Sequence, residues 1–130
     1  MVTVAKRDGA LTPDDFAHLS FDGLERLLVH SHVSDLADDQ WPAEFPYLSV
    51  DLIAWLASKG VALIGLDSPS VDAFESTDLP CHHALRAYGL VNLECLCLRG
   101  VPDGDYELTA LPLKLESACG SPVRAVLRAR

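Results

Sequence analysis

The sequence predicts an α/β fold in which helices pack against a sheet, and three observations support this prediction. Helical and extended patterns alternate along the 130 residues, with no internal repeat. The continuous apolar run Val61 to Leu66 is typical of a strand buried on both faces. Hydrophobic residues make up 49% of the chain, which is enough for one core. We therefore expect a single domain over residues 1–130.

A short helix and a strand are the first predicted elements. Thr12 is a good N-cap, Pro13 fits the first helical position, and acidic residues follow in the first turn. This pattern predicts a helix that runs to about Leu19. The segment Arg26 to His32 is then typical of a strand.

The clearest helix begins after Ser49, which is a favourable N-cap residue. An apolar stripe follows at helical spacing and consists of Leu52, Ile53 and Leu56. Gly60 then ends the helix, because glycine readily takes the left-handed conformation that follows a helix.

Asp67 follows the predicted buried strand directly. Open α/β sheets tend to place functional groups at the carboxyl ends of their strands. Asp67 can instead accept hydrogen bonds from the N–H groups of Ser70 or Val71, since Pro69 between them has no donor. Of these two interpretations we favour the structural one.

The second half of the chain predicts one helix and three strands. The helix covers Cys81 to Tyr88 and ends at Gly89. A second core strand follows from Leu90 to Leu98, and further strands cover Tyr106 to Leu113 and Val123 to Leu127.

Charge and composition exclude several classes of function. The net charge of -9 repels a phosphate backbone, so no nucleic-acid partner is expected. No run approaches the ~18 apolar residues needed to cross a bilayer, and the first ten residues are too polar for a signal peptide. We therefore expect a soluble, cytoplasmic protein without a membrane partner. The chain has four cysteines and no CxxC pair: Cys81, Cys95, Cys97 and Cys119. We expect them to be reduced thiols that behave as small buried hydrophobes.

The stretch Gln40 to Pro46 is expected to form a long loop because two prolines interrupt any regular pattern there. Its aromatic residues, Trp41 and Phe45, could line a substrate mouth or a subunit contact. We favour the alternative in which both pin the loop to its own core.

Glu94 is the most informative residue for chemistry, since a carboxylate inside an apolar strand must be solvated, paired or bound to a metal. Period-two alternation places it on the same face as Asn92, so a solvated position is equally consistent. His82 and His83 precede a chain reversal at Gly89, which can bring one imidazole alongside Glu94. A histidine and a glutamate suit zinc or manganese, although ordinary capping or surface histidines are the commoner case.

A second histidine pair, His30 and His32, forms an HxH string on the predicted strand Arg26 to His32. Two histidines on one face of a strand can coordinate the same metal ion. Nothing else in the sequence supports that role, so we expect both rings to face solvent.

Four blocks in order resemble bacterial kynurenine formamidases, the arylformamidases of the cyclase family. They are Gly60–Asp72 (GVALIGLDSPSVD), Cys81–Glu94 (CHHALRAYGLVNLE), Val101–Leu115 (VPDGDYELTALPLKL) and Ser121–Leu127 (SPVRAVL). The resemblance implies a swivelling β/β/α fold, a homodimer and one or two zinc ions. It also implies a small-molecule aryl formamide substrate, with hydrolysis of N-formyl-L-kynurenine to kynurenine and formate in tryptophan degradation.

By this resemblance, His82 matches the family's metal-ligand histidine and Glu94 its bridging glutamate, which leaves His83 a neighbour. The family's N-terminal HxGTHxDxPxH motif has no counterpart in these residues, so no catalytic acid or base is identifiable. We expect a fold that is incomplete at its N-terminus, with weak or no zinc binding and negligible formamidase activity. The alternative is a catalytically dead cyclase-fold module that acts in dimerisation or binding.

Overall fold

The computed structural model describes residues 1–130 and contains eight strands and two α-helices. The strands are β1 (Val2–Thr3), β2 (Gly9–Leu11), β3 (Arg26–His30), β4 (Pro46–Leu48), β5 (Leu63–Leu66), β6 (Val91–Leu93), β7 (Tyr106–Pro112) and β8 (Val123–Ala129). The α-helices are α1 (Val50–Ser58) and α2 (Pro80–Tyr88), and two short 3₁₀ helices cover Pro13–Phe16 and His32–Asp35. Neither α-helix is long and apolar enough to cross a membrane.

A four-stranded parallel sheet in the order β1-β3-β5-β6 organises the chain. Strands β2 and β4 form a separate parallel pair, and β7 and β8 form an antiparallel hairpin. Helix α1 precedes β5, and helix α2 connects β5 to β6. The prediction of an α/β fold is confirmed. Because all four strands of the main sheet are parallel, their carboxyl ends lie along one edge, which we call the carboxyl edge.

Helix α1 supplies much of the core and follows the sequence prediction closely. The Ser49 hydroxyl accepts a hydrogen bond from the Leu52 N–H at 3.1 Å. Leu52, Ile53 and Leu56 have no exposed surface and pack in one apolar cluster with the residues of β5. The chain leaves the helix through Gly60 at φ +86°, a conformation that a side chain would strain.

The predicted helix after Thr12 and the predicted strand to His32 are both shorter than expected. The Asp15 carboxylate accepts the Thr12 N–H at 2.7 Å, but the helix is 3₁₀ and ends at Phe16. Strand β3 ends at His30, since the Ser31 hydroxyl accepts the Val33 N–H at 3.2 Å and starts a 3₁₀ helix. The two histidines of the HxH string therefore do not share one strand.

The predicted strand Leu90–Leu98 is wrong beyond Leu93. Cys95 has φ +55°, in the left-handed region, which ends the period-two alternation. The chain still follows the sheet, since the Leu96 N–H donates to the Leu66 carbonyl at 3.1 Å. Cys95, Cys97 and Cys119 are exposed, so only the buried Cys81 behaves as the expected small hydrophobe.

The antiparallel pair β7–β8, which we call the C-terminal hairpin, keeps much of its apolar surface exposed. The strands pair along their full length, from Tyr106 opposite Ala129 to Pro112 opposite Val123. Its base is held by the N-terminal amine, which donates to the Gly104 carbonyl at 2.7 Å. Leu111 and Val126 are exposed on this hairpin, and an isolated two-stranded hairpin is only marginally stable in water.

Candidate metal centre

Glu94 lies directly after β6, at the carboxyl edge of the sheet. Its Oε1 accepts a hydrogen bond from the Val71 N–H at 2.9 Å, and 27% of the side chain is exposed. Val71 belongs to the segment that follows β5. The backbone of a neighbouring connection therefore holds the carboxylate in place and leaves part of it accessible.

Helix α2 carries His82 in its first turn and is anchored by a carboxylate from outside the helix. Its N-cap position is Leu79, which has no side-chain acceptor and a left-handed φ of 47°. The Asp72 carboxylate takes over the capping role, because it accepts the N–H groups of Cys81 at 2.7 Å and His82 at 3.1 Å. This capping fixes the start of α2 against the segment after β5.

The His82 ring lies between two carboxylates. Its Nδ1 is 2.7 Å from Asp72 Oδ2, and its Nε2 is 3.4 Å from Glu94 Oε1. Since the buried Asp72 carboxylate can only accept, we assign the Nδ1 proton to that hydrogen bond. In the neutral ring, Nε2 is then a lone-pair acceptor facing the Glu94 oxygen. Two facing acceptors repel each other unless a cation, either a proton or a metal ion, lies between them.

The surroundings keep Asp72 ionised and Cys81 protonated. Burial raises the pKa of Asp72, but hydrogen bonds from the His82 ring and two backbone N–H groups outweigh it and hold the pKa below 3.8. Burial and the neighbouring Asp72 raise the pKa of Cys81 to about 12. Its thiol donates to the Leu48 carbonyl, with Sγ 3.0 Å from the oxygen. A thiolate ligand is therefore not available at this position.

The spacing of His82 Nε2 and Glu94 Oε1 fits a shared metal ion. Two ligands about 2.1 Å from a tetrahedral zinc are ~3.4 Å apart, and the observed separation is 3.4 Å. No group of three or more potential ligands occurs in the structure. The donor set thus supplies two of the three protein ligands that a catalytic zinc normally takes.

The remaining histidines lie apart from this pair. His83 is exposed, although it is next to His82 in the chain. His30 and His32 are partly buried, and His30 Nε2 and His32 Nδ1 are buried without hydrogen-bond partners, so the expectation that both rings face solvent is wrong. His30 ends β3, and His32 begins the 3₁₀ helix that follows.

Asp67 has the structural role expected of it, but with other partners. Its carboxylate accepts the Ser31 N–H and hydroxyl, each at 2.8 Å, and the Ser34 N–H at 3.1 Å. The expected donors do not reach it, because the Val71 N–H is directed to Glu94. Asp67 therefore ties the connection after β3 to the end of β5.

The loop Gln40–Pro46 is pinned by one of its two aromatic residues. Phe45 is 3% exposed and contacts Phe74 edge to face, with ring centroids 6.4 Å apart. Trp41 is 66% exposed and does not join this contact. The prediction that both aromatics pack on the core is confirmed for Phe45 and wrong for Trp41.

Asp72 is a candidate site residue that the sequence did not predict. Its partners, Cys81 and His82, are nine and ten residues further along the chain. One sequence feature indicated that such a residue is needed. Helix α2 begins at Pro80, and Leu79 before it has no side chain that can cap the helix. A helix of this kind requires an acceptor from another segment.

Comparison with known proteins identifies similar chains. The family model described as "Putative cyclase" matches residues 2–73. The kynurenine formamidase of Salinibacter ruber is 45% identical over 128 residues, which cover 98% of this chain and 60% of the relative. The kynurenine formamidase of Maricaulis maris is 41% identical over 128 residues, which cover 98% of this chain and 61% of the relative. The chain thus spans about 60% of the length of these curated relatives.

Solved structures with a similar fold are also found. A potential metal-dependent hydrolase with cyclase activity superposes with a TM-score of 0.83 at 30% identity, covering 97% of this chain and 61% of that one. An isatin hydrolase bound to the product analogue thioisatinate superposes with a TM-score of 0.70 at 27% identity, covering 91% of this chain and 52% of that one. The fold described above is therefore that of cyclase-type metal-dependent hydrolases.

Proposed function

Since this chain belongs to the cyclase family, we propose that it is a kynurenine formamidase-like hydrolase with His82 and Glu94 as metal ligands. The observation that carries the proposal is the 3.4 Å approach of His82 Nε2 to Glu94 Oε1, a spacing that fits two ligands of one metal ion. The relatives named kynurenine formamidase support the hydrolysis of N-formyl-L-kynurenine to kynurenine and formate in tryptophan degradation.

The proposed metal is zinc, which accepts imidazole nitrogen and carboxylate oxygen, and manganese also suits this pair. When bound, zinc supplies Lewis-acid polarisation of the amide carbonyl and activation of water. The chain's own contribution is to hold the ligands: Asp72 sets the ring orientation of His82, and the Val71 N–H holds Glu94. We assign no acid or base among these residues.

Two ligands are fewer than the three that a catalytic zinc normally takes from protein. We therefore propose that the 130-residue chain alone binds zinc weakly and has negligible formamidase activity. We also place it in the cytoplasm, because exposed thiols at Cys95, Cys97 and Cys119 persist in a reducing compartment.

Zinc titration of the 130-residue chain against a chromophoric chelator tests the ligand assignment. We expect weak binding that His82→Ala and Glu94→Gln each reduce by at least ~10-fold. The matched control is His83→Ala, which removes the neighbouring exposed histidine and should leave the affinity unchanged. Equal effects of all three substitutions would refute the assignment. A parallel absorbance assay with N-formyl-L-kynurenine should show negligible turnover, and stoichiometric zinc with rapid turnover would contradict the two-ligand centre.

A second candidate function is a homodimerisation module, and the C-terminal hairpin favours it. Leu111 is 74% exposed and Val126 is 53% exposed, although both lie in paired strands. From residue 106 onward basic side chains outnumber acidic ones, whereas the preceding residues are strongly acidic. A basic hairpin complements the acidic body of a second copy in charge as well as in apolar surface.

Sedimentation velocity over a range of protein and salt concentrations tests this candidate. We expect a homodimer that dissociates more readily at high salt and in the variant Leu111→Ser/Val126→Thr. The control is Val91→Thr, which changes an apolar residue that is 57% exposed outside the hairpin. A monomer at every concentration, or equal weakening by the control, would reject the module.

A further inference from the structure

A cavity of about 140 Å³ lies where the parallel strands β2 and β4 begin, and no residue of the candidate metal centre lines it. Because these strands pair in register, Asp8 and Phe45, which precede them, lie side by side. The Leu48 N–H donates to the Val71 carbonyl at 2.9 Å, which brings the segment after β5 to the same place. Three segments that are distant in the sequence therefore line this cavity.

The apolar part of the cavity is mainly aromatic. Phe45, Tyr47 and Phe74 line it, and the rings of Phe45 and Phe74 meet edge to face at an interplanar angle of 82°. Phe45 is 3% exposed, whereas Phe74 is 67% exposed. A protein cavity of ~150 Å³ holds one benzene molecule. The cavity is therefore large enough for one side chain, and the Phe74 ring is accessible for contact with it.

Three acidic residues line the same cavity, namely Asp8, Glu44 and Glu75. All three are exposed, and none of their carboxylates takes part in an ion pair. Carboxylates around one cavity disfavour one another's charge unless a cation lies among them. The lining therefore attracts a cation and repels a ligand that carries a carboxylate. We call this site the acidic aromatic cavity.

An arginine side chain matches both properties of the acidic aromatic cavity. Its methylene stem packs on apolar surface while its charged group stays near water. Its guanidinium stacks on aromatic rings and donates to a carboxylate through two parallel N–H groups, which a lysine ammonium does not do. An arginine inside a peptide chain has no carboxylate of its own, whereas free arginine has one that the acidic lining repels. The charges therefore favour a peptide-linked arginine.

We propose that the acidic aromatic cavity is a docking site for an arginine side chain of a partner polypeptide. The guanidinium lies among the carboxylates of Asp8, Glu44 and Glu75, and the methylene stem contacts the Phe74 ring. Arginine is one of the residue types that contribute most binding energy at protein interfaces, so one such contact can anchor a partner. The site uses no metal ligand and is independent of the hydrolase activity proposed above.

Titration of the 130-residue chain with a capped Ala-Arg-Ala tripeptide at pH 7, followed by NMR, tests the docking site. We expect the backbone amide signals of the lining residues to shift. The matched probe replaces arginine by citrulline, which has the same shape without the charge and should bind about 10-fold more weakly. Equal affinity for the two peptides, or shifts confined to residues outside the cavity, would overturn the proposal.

Two further probes define the ligand. Free L-arginine brings its carboxylate to the acidic lining and should bind more weakly than the tripeptide. Equal or tighter binding of free L-arginine would overturn the assignment to a polypeptide. A capped Ala-Lys-Ala tripeptide should also bind more weakly than the arginine peptide. Tighter binding of the lysine peptide would overturn the choice of a guanidinium.

Removal of two cavity charges tests the role of the carboxylates. Glu44→Gln/Glu75→Gln should weaken binding of the arginine peptide by about 10-fold and leave the citrulline peptide unaffected. The matched control is Asp22→Asn/Glu116→Gln, which removes two charges from exposed residues outside the cavity. Equal losses in both double variants would show only a general attraction to an acidic protein and would overturn the site.

Substitution of Phe74 tests the aromatic contact. Phe74→Ala should weaken binding of the arginine peptide by about 5-fold, because the stem and the guanidinium lose the ring. The control is Trp41→Ala, since Trp41 is 66% and Phe74 67% exposed, and only Phe74 lines the cavity. Urea denaturation of each variant checks that the fold is retained. Equal losses in Phe74→Ala and Trp41→Ala, with the fold intact in both, would overturn the aromatic contact.

Discussion

Asp72 contacts His82 twice, at the ring Nδ1 at 2.7 Å and at the backbone N–H at 3.1 Å. One carboxylate therefore caps helix α2 and also sets the orientation of the imidazole that faces Glu94. The start of the helix and the direction of Nε2 are thus coupled, because a shift of Asp72 would move both.

Substitution of Asp72 should separate these two roles. Asp72→Asn retains one oxygen acceptor but removes the charge, so we expect zinc affinity to fall ~10-fold and stability to fall less than in Asp72→Ala. Asp72→Ala also leaves N–H groups of α2 without acceptors and should lower the free energy of unfolding by about 1–3 kcal/mol. Chelator competition and urea denaturation measure the two effects. The control Asp78→Asn changes an exposed acid in the same connection. Unchanged zinc affinity in Asp72→Asn would contradict the orienting role.

Thiol labelling should distinguish Cys81 from the other cysteines. At pH 8 we expect Cys95, Cys97 and Cys119 to react with a chromogenic disulfide reagent in the native protein. Cys81 should react only after unfolding, since it is 3% exposed and its pKa is raised to about 12. A Cys81→Ala variant should therefore give the same native signal and a smaller denatured signal. A reduced native signal in that variant would show that Cys81 is accessible.

The sequence predicted those elements whose start and end signals are local. Ser49 and Gly60 delimit α1, and Gly89, with φ 73°, ends α2 where expected. The meeting of His82 with Glu94 was also predictable, because a chain reversal at Gly89 returns the chain to the sheet. These features depend on caps and periodicity, which a short stretch of sequence contains.

Other features depend on partners far along the chain and could not be predicted. Strands β1, β2 and β4 have two or three residues each, too few for a periodic pattern. The left-handed Cys95 ends β6, although its sequence continues an apolar alternation. In the sequence Asp72 is one acidic residue in a loop, and its role as the cap of α2 appears only when the helix packs against it.

The ion pair between Lys6 and Asp15 should make stability depend on pH. Burial raises the pKa of Asp15, but hydrogen bonds from Lys6, at 2.8 Å, and from Thr12 outweigh it and lower the pKa below 3.8. Because the folded pKa is depressed, this stabilisation is present above the unfolded value of about 3.9 and is lost as pH falls through the folded value.

Asp15→Asn should therefore lower the free energy of unfolding by about 1 kcal/mol at pH 7. The difference from the native chain should shrink as the pH falls below 4. The control is Asp14→Asn, which alters the adjacent exposed acid and should have little effect at any pH. Urea denaturation at pH 7, 4 and 2.5 measures the difference, and a constant difference across this range would contradict the assignment.

Gly65 in the middle of β5 permits the close approach of β3 and of the segment after Glu94. A Cβ at this position would lie 2.6 Å from Leu28 Cδ2 and 2.8 Å from Leu96 Cδ1. Both atoms are the far ends of leucine side chains, which can shift, so Gly65→Ala should cost about 1 kcal/mol of stability through overpacking. Because Leu96 is two residues from Glu94, the substitution should also weaken zinc binding. Gly120→Ala is the control, since nothing lies within 4 Å of a Cβ there. Thermal denaturation and chelator competition measure both effects, and a Gly65→Ala chain that matches Gly120→Ala in both would show that the leucines move aside freely.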